Sequence, residues 1–221
     1  MDGFLIFQHQ ADAPPGLVGD ALDAAGARAR TVRVDAEPLP AAPAAAGAVI
    51  VLGSDASAVG DGSAPWIGDE IAWLRTAAAA GVPVLGICFG AQVLAAALGG
   101  AVTRMPAPQV GWVDVGSTAP DAIPPGPWLA WHEDAVTPPP GARVLARDAV
   151  CVQAFATGPH LALQFHPEVT PAIVEDWVDA YGRDLAGQVF DLDRLLADTE
   201  RHAARAAADA RALFAAWEGD G

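Results

Sequence analysis

The stretch GVPVLGICFGAQVLAAALGG, residues 81–100, decides how the rest of the chain is read. Val82 to Ile87 form an apolar run expected to be a buried strand, which stops at Cys88 and turns into an apolar helix from about Gly90. Gly86 and Gly90 bracket the cysteine in a G-x-C-x-G pattern. With serine in place of cysteine this is the nucleophile elbow, a tight strand-to-helix turn that projects one side chain above a sheet. Glycines on both sides let strand and helix approach closely at a strained turn. Cys88 then stands at a helix N-terminus, where free N–H groups and the peptide dipoles favour negative charge. A lone cysteine after a strand is more often a small core residue. The glycine bracket argues against that here.

A second stretch supplies the partners that a nucleophilic thiol requires. ALQFHPEV, residues 162–169, reads as an apolar strand ending in His166, Pro167 and Glu168. In an extended segment, residues i and i+2 point to the same side, which pairs His166 with Glu168. A carboxylate so placed can orient the imidazole, and the imidazole can take the proton of the thiol.

GICFGAQ (86–92) followed downstream by QFHPE (164–168) resembles the signature of the class I glutamine amidotransferases, the triad-type glutaminase domain. Within that family the chain is similar to stand-alone proteins akin to the amidotransferase domain of GMP synthetase. The resemblance spans residues 3–182. It implies a Cys88, His166 and Glu168 triad, and an oxyanion hole from the backbone N–H groups of Gly53 and Phe89. Without it, Gly53 reads more readily as a glycine that merely ends a strand, and Gln92 as a solvated helix residue. With it, Gln92 contacts the amino-acid end of the substrate, and WLAWHEDAV (128–136) lines the pocket with Trp131, His132 and Asp134. For His132 an ordinary hydrogen-bonded loop histidine is an equal alternative. The chain departs from the family pattern at three places. Ser54 stands for a second glycine, Gln109 in QVGWVDV stands where an acidic residue is frequent, and Glu133 replaces a glycine. An extra carboxylate at 133 would repel a substrate carboxylate unless it points away.

Taken in order, FLIFQH (4–9) is expected as a first strand, with a helix over 15–25, a short strand over 30–34 and a Pro/Ala loop over 37–47. AVIVLGS (48–54) is a third strand leading into the Gly/Ser/Asp-rich loop 53–63, followed by a helix over 67–80. Strands alternating with helices imply right-handed βαβ units. The expected fold is therefore α/β, a mainly parallel central sheet flanked by helices. By the resemblance it is the flavodoxin-like class I amidotransferase fold. Residues 101–165 read as a smaller antiparallel section with turns at 106–111, 116–121, 124–127 and 138–141, and Cys151 on one of its strands. A helix over 170–181 has Thr170 as N-cap and Pro171 at its first position. The domain is expected to span 1–182, with a C-terminal helical extension, 183–221, that is alanine-rich in its middle. Such a helix either covers its own domain or docks a partner; packing on its own domain is the commoner outcome.

Composition bounds the partners. The chain has 221 residues, 52% of them hydrophobic, and a net charge of −15 with 12 cationic side chains, all arginine. A nucleic-acid partner would require a basic face, so none is expected. No apolar run reaches the roughly 18 residues that a spanning helix requires and no basic leader opens the chain, so a soluble, cytoplasmic protein without a membrane partner is expected. Cys88 and Cys151 are expected as free thiols. No cofactor is expected, and no metal, because no Cys/His cluster has zinc spacing. His9, His160 and His202 are read as non-catalytic.

Three functions fit. The first is a glutaminase that hydrolyses the γ-amide of glutamine through a γ-glutamyl thioester and supplies ammonia to a separate synthetase, since the chain carries no ATP-pyrophosphatase signature or P-loop. The second is a stand-alone hydrolase or transferase of γ-glutamyl or related amides. The third is a non-catalytic binding module with the same fold, against which the intact Cys88, His166 and Glu168 set counts.

Overall fold

The architecture is that of a computed structural model, which describes residues 3–59, 64–185 and 190–219. Four strands, β1 (Phe4–Gln8), β2 (Ala29–Arg33), β3 (Ala48–Val51) and β4 (Val84–Ile87), form a parallel array in the order β2-β1-β3-β4. The sheet continues through β10 (His160–Leu163), parallel to β4. It is completed by β9 (Val152–Thr157), β8 (Arg143–Arg147) and β6 (Gly116–Ser117), each antiparallel to its neighbour. β5 (Ala101–Val113) and β7 (Trp128–Thr137) stand apart as a separate antiparallel pair. The expected antiparallel section is thus divided between an extension of the main sheet and this hairpin.

The strands alternate between two cores, as period-2 geometry requires. On one side Ile6, Ile50, Leu52, Leu85 and Ile87 meet Leu17, Val18 and Leu22 of α1 (Gly16–Ala24) and Ala206, Ala210, Leu213, Phe214 and Trp217 of α5 (Leu192–Gly219). On the other, Phe7, Val49, Val51 and Val84 meet Ile67, Trp73, Leu74 and Ala77 of α2 (Trp66–Ala79) and the wall of α3 (Phe89–Ala97). Burying both faces explains why these strands read as continuous apolar runs. A third cluster joins Ile173, Val174 and Trp177 of α4 (Pro171–Leu185) to Leu129 and Leu195. Thr170 caps α4, its Oγ1 accepting the Ile173 N–H at 3.3 Å. α4 continues past residue 182, and α5 contacts α1, α4 and β5. Residues 60–63 of the expected loop and 186–189 and 220–221 of the tail lie outside the described residues. Among the described residues no helix is long and apolar enough to cross a membrane.

Two local expectations are corrected. Residues 106–111 are not a turn but the continuation of β5, where the register against β7 slips between Arg104 and Gln109. Pro106 and Pro108 fall in that irregularity, where a residue without an N–H leaves no ladder bond unmade. Cys151 is not on a strand. It occupies the bend before β9, where the Asp148 carboxylate accepts the N–H groups of Val150 and Cys151 at 2.8 Å each.

Glycines at the β4–α3 junction are fixed by contact. A Cβ on Gly86 would overlap the Gly90 carbonyl, and one on Gly90 would overlap the Val51 carbonyl of the neighbouring strand. Both obstacles are backbone and have nowhere to go. By contrast, a Cβ on Gly68, in the first turns of α2, meets open space. Gly90→Ala is therefore expected to destabilise the protein by about 3 kcal/mol, whereas Gly68→Ala stabilises it by about 0.5 kcal/mol through helix propensity. Urea unfolding midpoints of the two variants check the opposite signs.

Candidate active site

Cys88 occupies the elbow between β4 and α3 with φ 53° and ψ −108°, a conformation that a non-glycine residue adopts at a cost of about 1–3 kcal/mol. Neighbouring hydrogen bonds hold it there. Its N–H donates to Leu163 O at 2.7 Å, and its carbonyl accepts the Gln92 N–H at 3.2 Å. The side chain is buried, with Sγ 3.6 Å from the Trp131 carbonyl oxygen.

His166 and Glu168 lie just beyond β10, which ends at Leu163, so the HPE segment is a turn and not the end of a strand. The two side chains still meet, with Nδ1···Oε1 at 2.7 Å, because the turn brings the carboxylate back under the ring. The His166 N–H is anchored on Leu129 O at 2.8 Å, and the Trp177 ring stands edge-on to the imidazole at a centroid distance of 4.9 Å. Burial lowers the His166 pKa, but the Glu168 carboxylate and then Cys88 outweigh it and hold it well above 6.5. His166 Nε2 is buried and has no hydrogen-bond partner among the described residues. With Nδ1 committed to Glu168, that nitrogen is the one available for proton exchange.

Gly53 follows β3 and lies beside both Cys88 and His166. A Cβ placed on it would stand 3.3 Å from His166 Cε1 and 3.8 Å from Cys88 Cβ, so any larger residue would press on the imidazole. Among the described residues neither the Gly53 N–H nor the Phe89 N–H donates to a protein acceptor. Phe89 opens α3, where the first N–H groups of a helix are unpaired in any case. These are the two donors that the family resemblance assigns to an oxyanion.

A cavity of about 400 Å³ opens above these groups, and it includes Gly53, Cys88, Gln92, Trp131, His132, Asp134 and His166 in its lining. The structure thus brings these seven residues to one pocket, with Glu168 behind His166 and Phe89 next to Cys88. Gln92 is buried rather than solvated. His132 donates Nδ1–H to the Asp134 carbonyl at 2.9 Å and is buried, and desolvation brings its pKa down to about 4, so the ring is neutral at neutral pH. The Asp134 carboxylate accepts the Ser57 hydroxyl at 2.7 Å and pairs with Arg104 Nε at 3.0 Å.

The family departures acquire reasons. Arg104 also pairs with Glu133, whose carboxylate is half-exposed at the pocket wall and compensated there. Gln109 faces away from the cavity. Its Nε2 donates to Asp148 at 2.6 Å while its Oε1 accepts from Gln153 at 3.1 Å, so an acidic residue here would confront Asp148. Cys151 lies by the same group; burial and then Asp148 push its thiol up to about 12, which leaves it a poor nucleophile.

Sequence reasoning missed several residues of this region. Ser57 and Arg104 act on Asp134 from other segments, and no local pattern marks them. Tyr181 and Trp177 of α4 bond to Asp12, through Tyr181 Oη to Oδ2 at 2.5 Å and Trp177 Nε1 to the backbone oxygen at 2.7 Å, closing another side of the pocket. His9 and Glu70 were legible in part. His9 follows β1 at its carboxyl end, where sites in such sheets form. Glu70 interrupts the apolar stripe of Ile67, Trp73, Leu74 and Ala77 on α2.

Because Glu168 is the largest of the groups that raise the His166 pKa, Glu168→Gln is expected to move it downward, read from the Cε1–H resonance in an NMR titration. The sign carries over to stability. A folded-state pKa above the unfolded one contributes stability that is complete below about 6.5 and is lost as pH rises through the folded value. Glu168→Gln therefore loses more stability relative to the wild type on the acid side of that window than above it.

The sequence model described as glutamine amidotransferase class-I matches residues 19–175. A solved glutamine amido transferase from Methylobacillus flagellatus superposes with a TM-score of 0.92 at 28% identity, covering 100% of this chain and 95% of that one. A glutamine-hydrolyzing GMP synthase subunit of Saccharolobus solfataricus is 40% identical over 97 residues, 40% of this chain and 52% of that protein. The glutamine-hydrolyzing GMP synthase of Nitratidesulfovibrio vulgaris is 35% identical over 133 residues, 55% of this chain and 25% of its own length. The matches thus span about half of one of these relatives and a quarter of the other. The matched residues 19–175 take in the elbow, the HPE turn and the pocket wall, and the chain belongs to the class-I glutamine amidotransferase family.

Proposed function

We propose that the chain hydrolyses the γ-amide of glutamine with Cys88 as nucleophile, His166 as acid and base, and Glu168 as the group that orients the imidazole. The observation that carries this reading is the convergence of a strained elbow cysteine and a buried His166–Glu168 pair on either side of Gly53. Cys88 Sγ attacks the γ-carbonyl carbon, and its proton passes to His166 Nε2. The oxygen that becomes negative lies against the Gly53 and Phe89 N–H groups, the kind of stabilisation that is worth a few kcal/mol. His166 gives its proton to the departing nitrogen, ammonia leaves, and a γ-glutamyl thioester remains. Water then attacks the thioester as His166 takes its proton, releasing glutamate and the thiol. Gln92, Trp131, His132 and Asp134 hold the amino-acid end of the substrate. The raised pKa of His166 suits a group that must carry a proton during the first half-reaction.

Ammonia made in this pocket would serve a separate synthetase. Two matching proteins are named as single subunits of a glutamine-hydrolyzing GMP synthase, which supports a division of the reaction between chains. A second reading, a stand-alone hydrolase or transferase of other γ-glutamyl amides, draws support from the Arg104–Glu133 pair, a charged feature at the wall where the family pattern has glycine. A common assay separates them. Ammonia release from glutamine is measured beside a Cys88→Ala variant, with γ-glutamyl amides as alternative substrates. Wild-type turnover of glutamine falling by at least about 1,000-fold in the variant is the expected result. Turnover of other γ-glutamyl amides in preference to glutamine supports the second reading. Equal activity in wild type and variant removes Cys88 from the reaction.

A further inference from the structure

Beneath the pocket lies a buried ionisable pair that the chemistry above does not use. His9 and Glu70 have fully buried side chains, and His9 Nε2 is 3.1 Å from both Glu70 carboxylate oxygens. The other ring nitrogen, Nδ1, is 3.1 Å from the Gly53 carbonyl oxygen. A carbonyl can only accept, so Nδ1 carries a hydrogen and donates it. The ring is also fixed by its faces. Trp66 of α2 stacks on it at 5.0 Å, and Phe89 meets it edge-on at 4.8 Å.

These contacts converge on both candidate oxyanion donors. Gly53 is gripped through its own carbonyl, which fixes the Gly53–Ser54 peptide plane. The Leu52 N–H is held on Phe7 O, so the intervening Leu52–Gly53 peptide, which carries the Gly53 N–H, is bounded on both sides. Phe89 is gripped through its side chain, which sets the first turn of α3. Loss of the grip would free a glycine, the residue with the least intrinsic preference for one backbone conformation. A buried charge pair is a poor way to gain stability alone. As a brace it has a use that an apolar pair of the same volume could not fill, since only a donor can hold the Gly53 carbonyl.

We infer that His9 and Glu70 form a positioning pair that aims the Gly53 and Phe89 N–H groups at the oxyanion, His9 directly and Glu70 through His9. This rests on the amide-hydrolysis reading for its kinetic consequence but not for its structural one. The pair accelerates attack on a carbonyl, where an oxyanion develops. It does nothing for attack on an alkyl carbon, where none does. Iodoacetamide therefore serves as the control. In that reaction the Cys88 sulfur–carbon bond forms as iodide leaves and the thiol proton is lost to His166 or solvent.

Two variants avoid leaving a lone carboxylate in the core. Glu70→Gln retains an acceptor or donor for Nε2 and leaves Nδ1–H on Gly53. The double variant His9→Phe, Glu70→Gln keeps an aromatic ring against Trp66 and Phe89 but removes the donor. Glu70→Gln is expected to keep kcat for glutamine within about threefold of the wild type. The double variant is expected to lose about 30-fold in kcat, with KM and the rate of Cys88 alkylation each within about twofold. Equal kcat in the two variants overturns the inference, as does a parallel fall in hydrolysis and alkylation, which would mark general damage. If the wild type turns over no amide, the proposed function fails separately. The crystal structure of the double variant then decides the inference. A Leu52–Gly53 peptide, and with it the Gly53 N–H, rotated from its wild-type orientation supports it, and an unmoved one overturns it.

Discussion

The arrangement of the molecule depends on how closely α3 can lie against the sheet. At the β4–α3 junction the helix backbone touches two strands, and glycines at 86 and 90 are the only residues that fit. That contact forces the chain to reverse over a single residue, and Cys88 absorbs the reversal with a positive φ. Strain of this kind persists only where its surroundings over-determine it. Here the Leu163 carbonyl from one side and the first turn of α3 from the other do so. The placement of Sγ is therefore a property of the core, set by backbone contacts rather than by the side chains around it.

Around this point the polar groups are arranged in pairs that limit the cost of burying them. His166 is held by Glu168, His9 by Glu70, and Asp134 by Ser57 and Arg104. The two long-range pairings join separate segments. His9 and Glu70 tie β1 to α2, and Ser57 and Asp134 tie the loop after β3 to the hairpin. Among the described residues, the buried side-chain atoms without partners include His166 Nε2 and His132 Nε2, both on residues that line the pocket. Buried polar atoms left unpaired are costly in an ordinary core, and are expected where a substrate is to supply the partner.

Much of this was legible because it is local. The elbow is written in four consecutive steps of chain, Gly86 to Gly90, and the His166–Glu168 contact spans two residues. The parallel sheet followed from the alternation of short apolar strands such as Ala48 to Leu52 with helices, which is read from neighbouring stretches of chain. What escaped the sequence is long-range. Glu70 meets His9 across 61 positions, and Ser57 meets Asp134 across 77. Periodicity cannot tell a buried carboxylate with a partner from an ordinary break in an apolar stripe. The misread turn at 106–111 has a different origin. Pro106 and Pro108 signal a broken ladder, and a bulge breaks the ladder as a turn does without reversing the chain.

The division of the pocket between two sheets has a consequence for how such a protein can change. Cys88, His166 and Gly53 descend from the main sheet, whereas Trp131, His132, Glu133 and Asp134 belong to the separate β5–β7 hairpin. Among the described residues the hairpin shares no strand pairing with the sheet that holds Cys88. The hairpin meets the elbow and the HPE turn through backbone atoms, the Trp131 carbonyl beside Cys88 Sγ and the Leu129 carbonyl on the His166 N–H, so its exposed side chains can vary without altering those contacts. The pocket wall and the elbow are thereby separable parts. On the proposed function, changes confined to the hairpin would alter which amide fits while the elbow stays as it is.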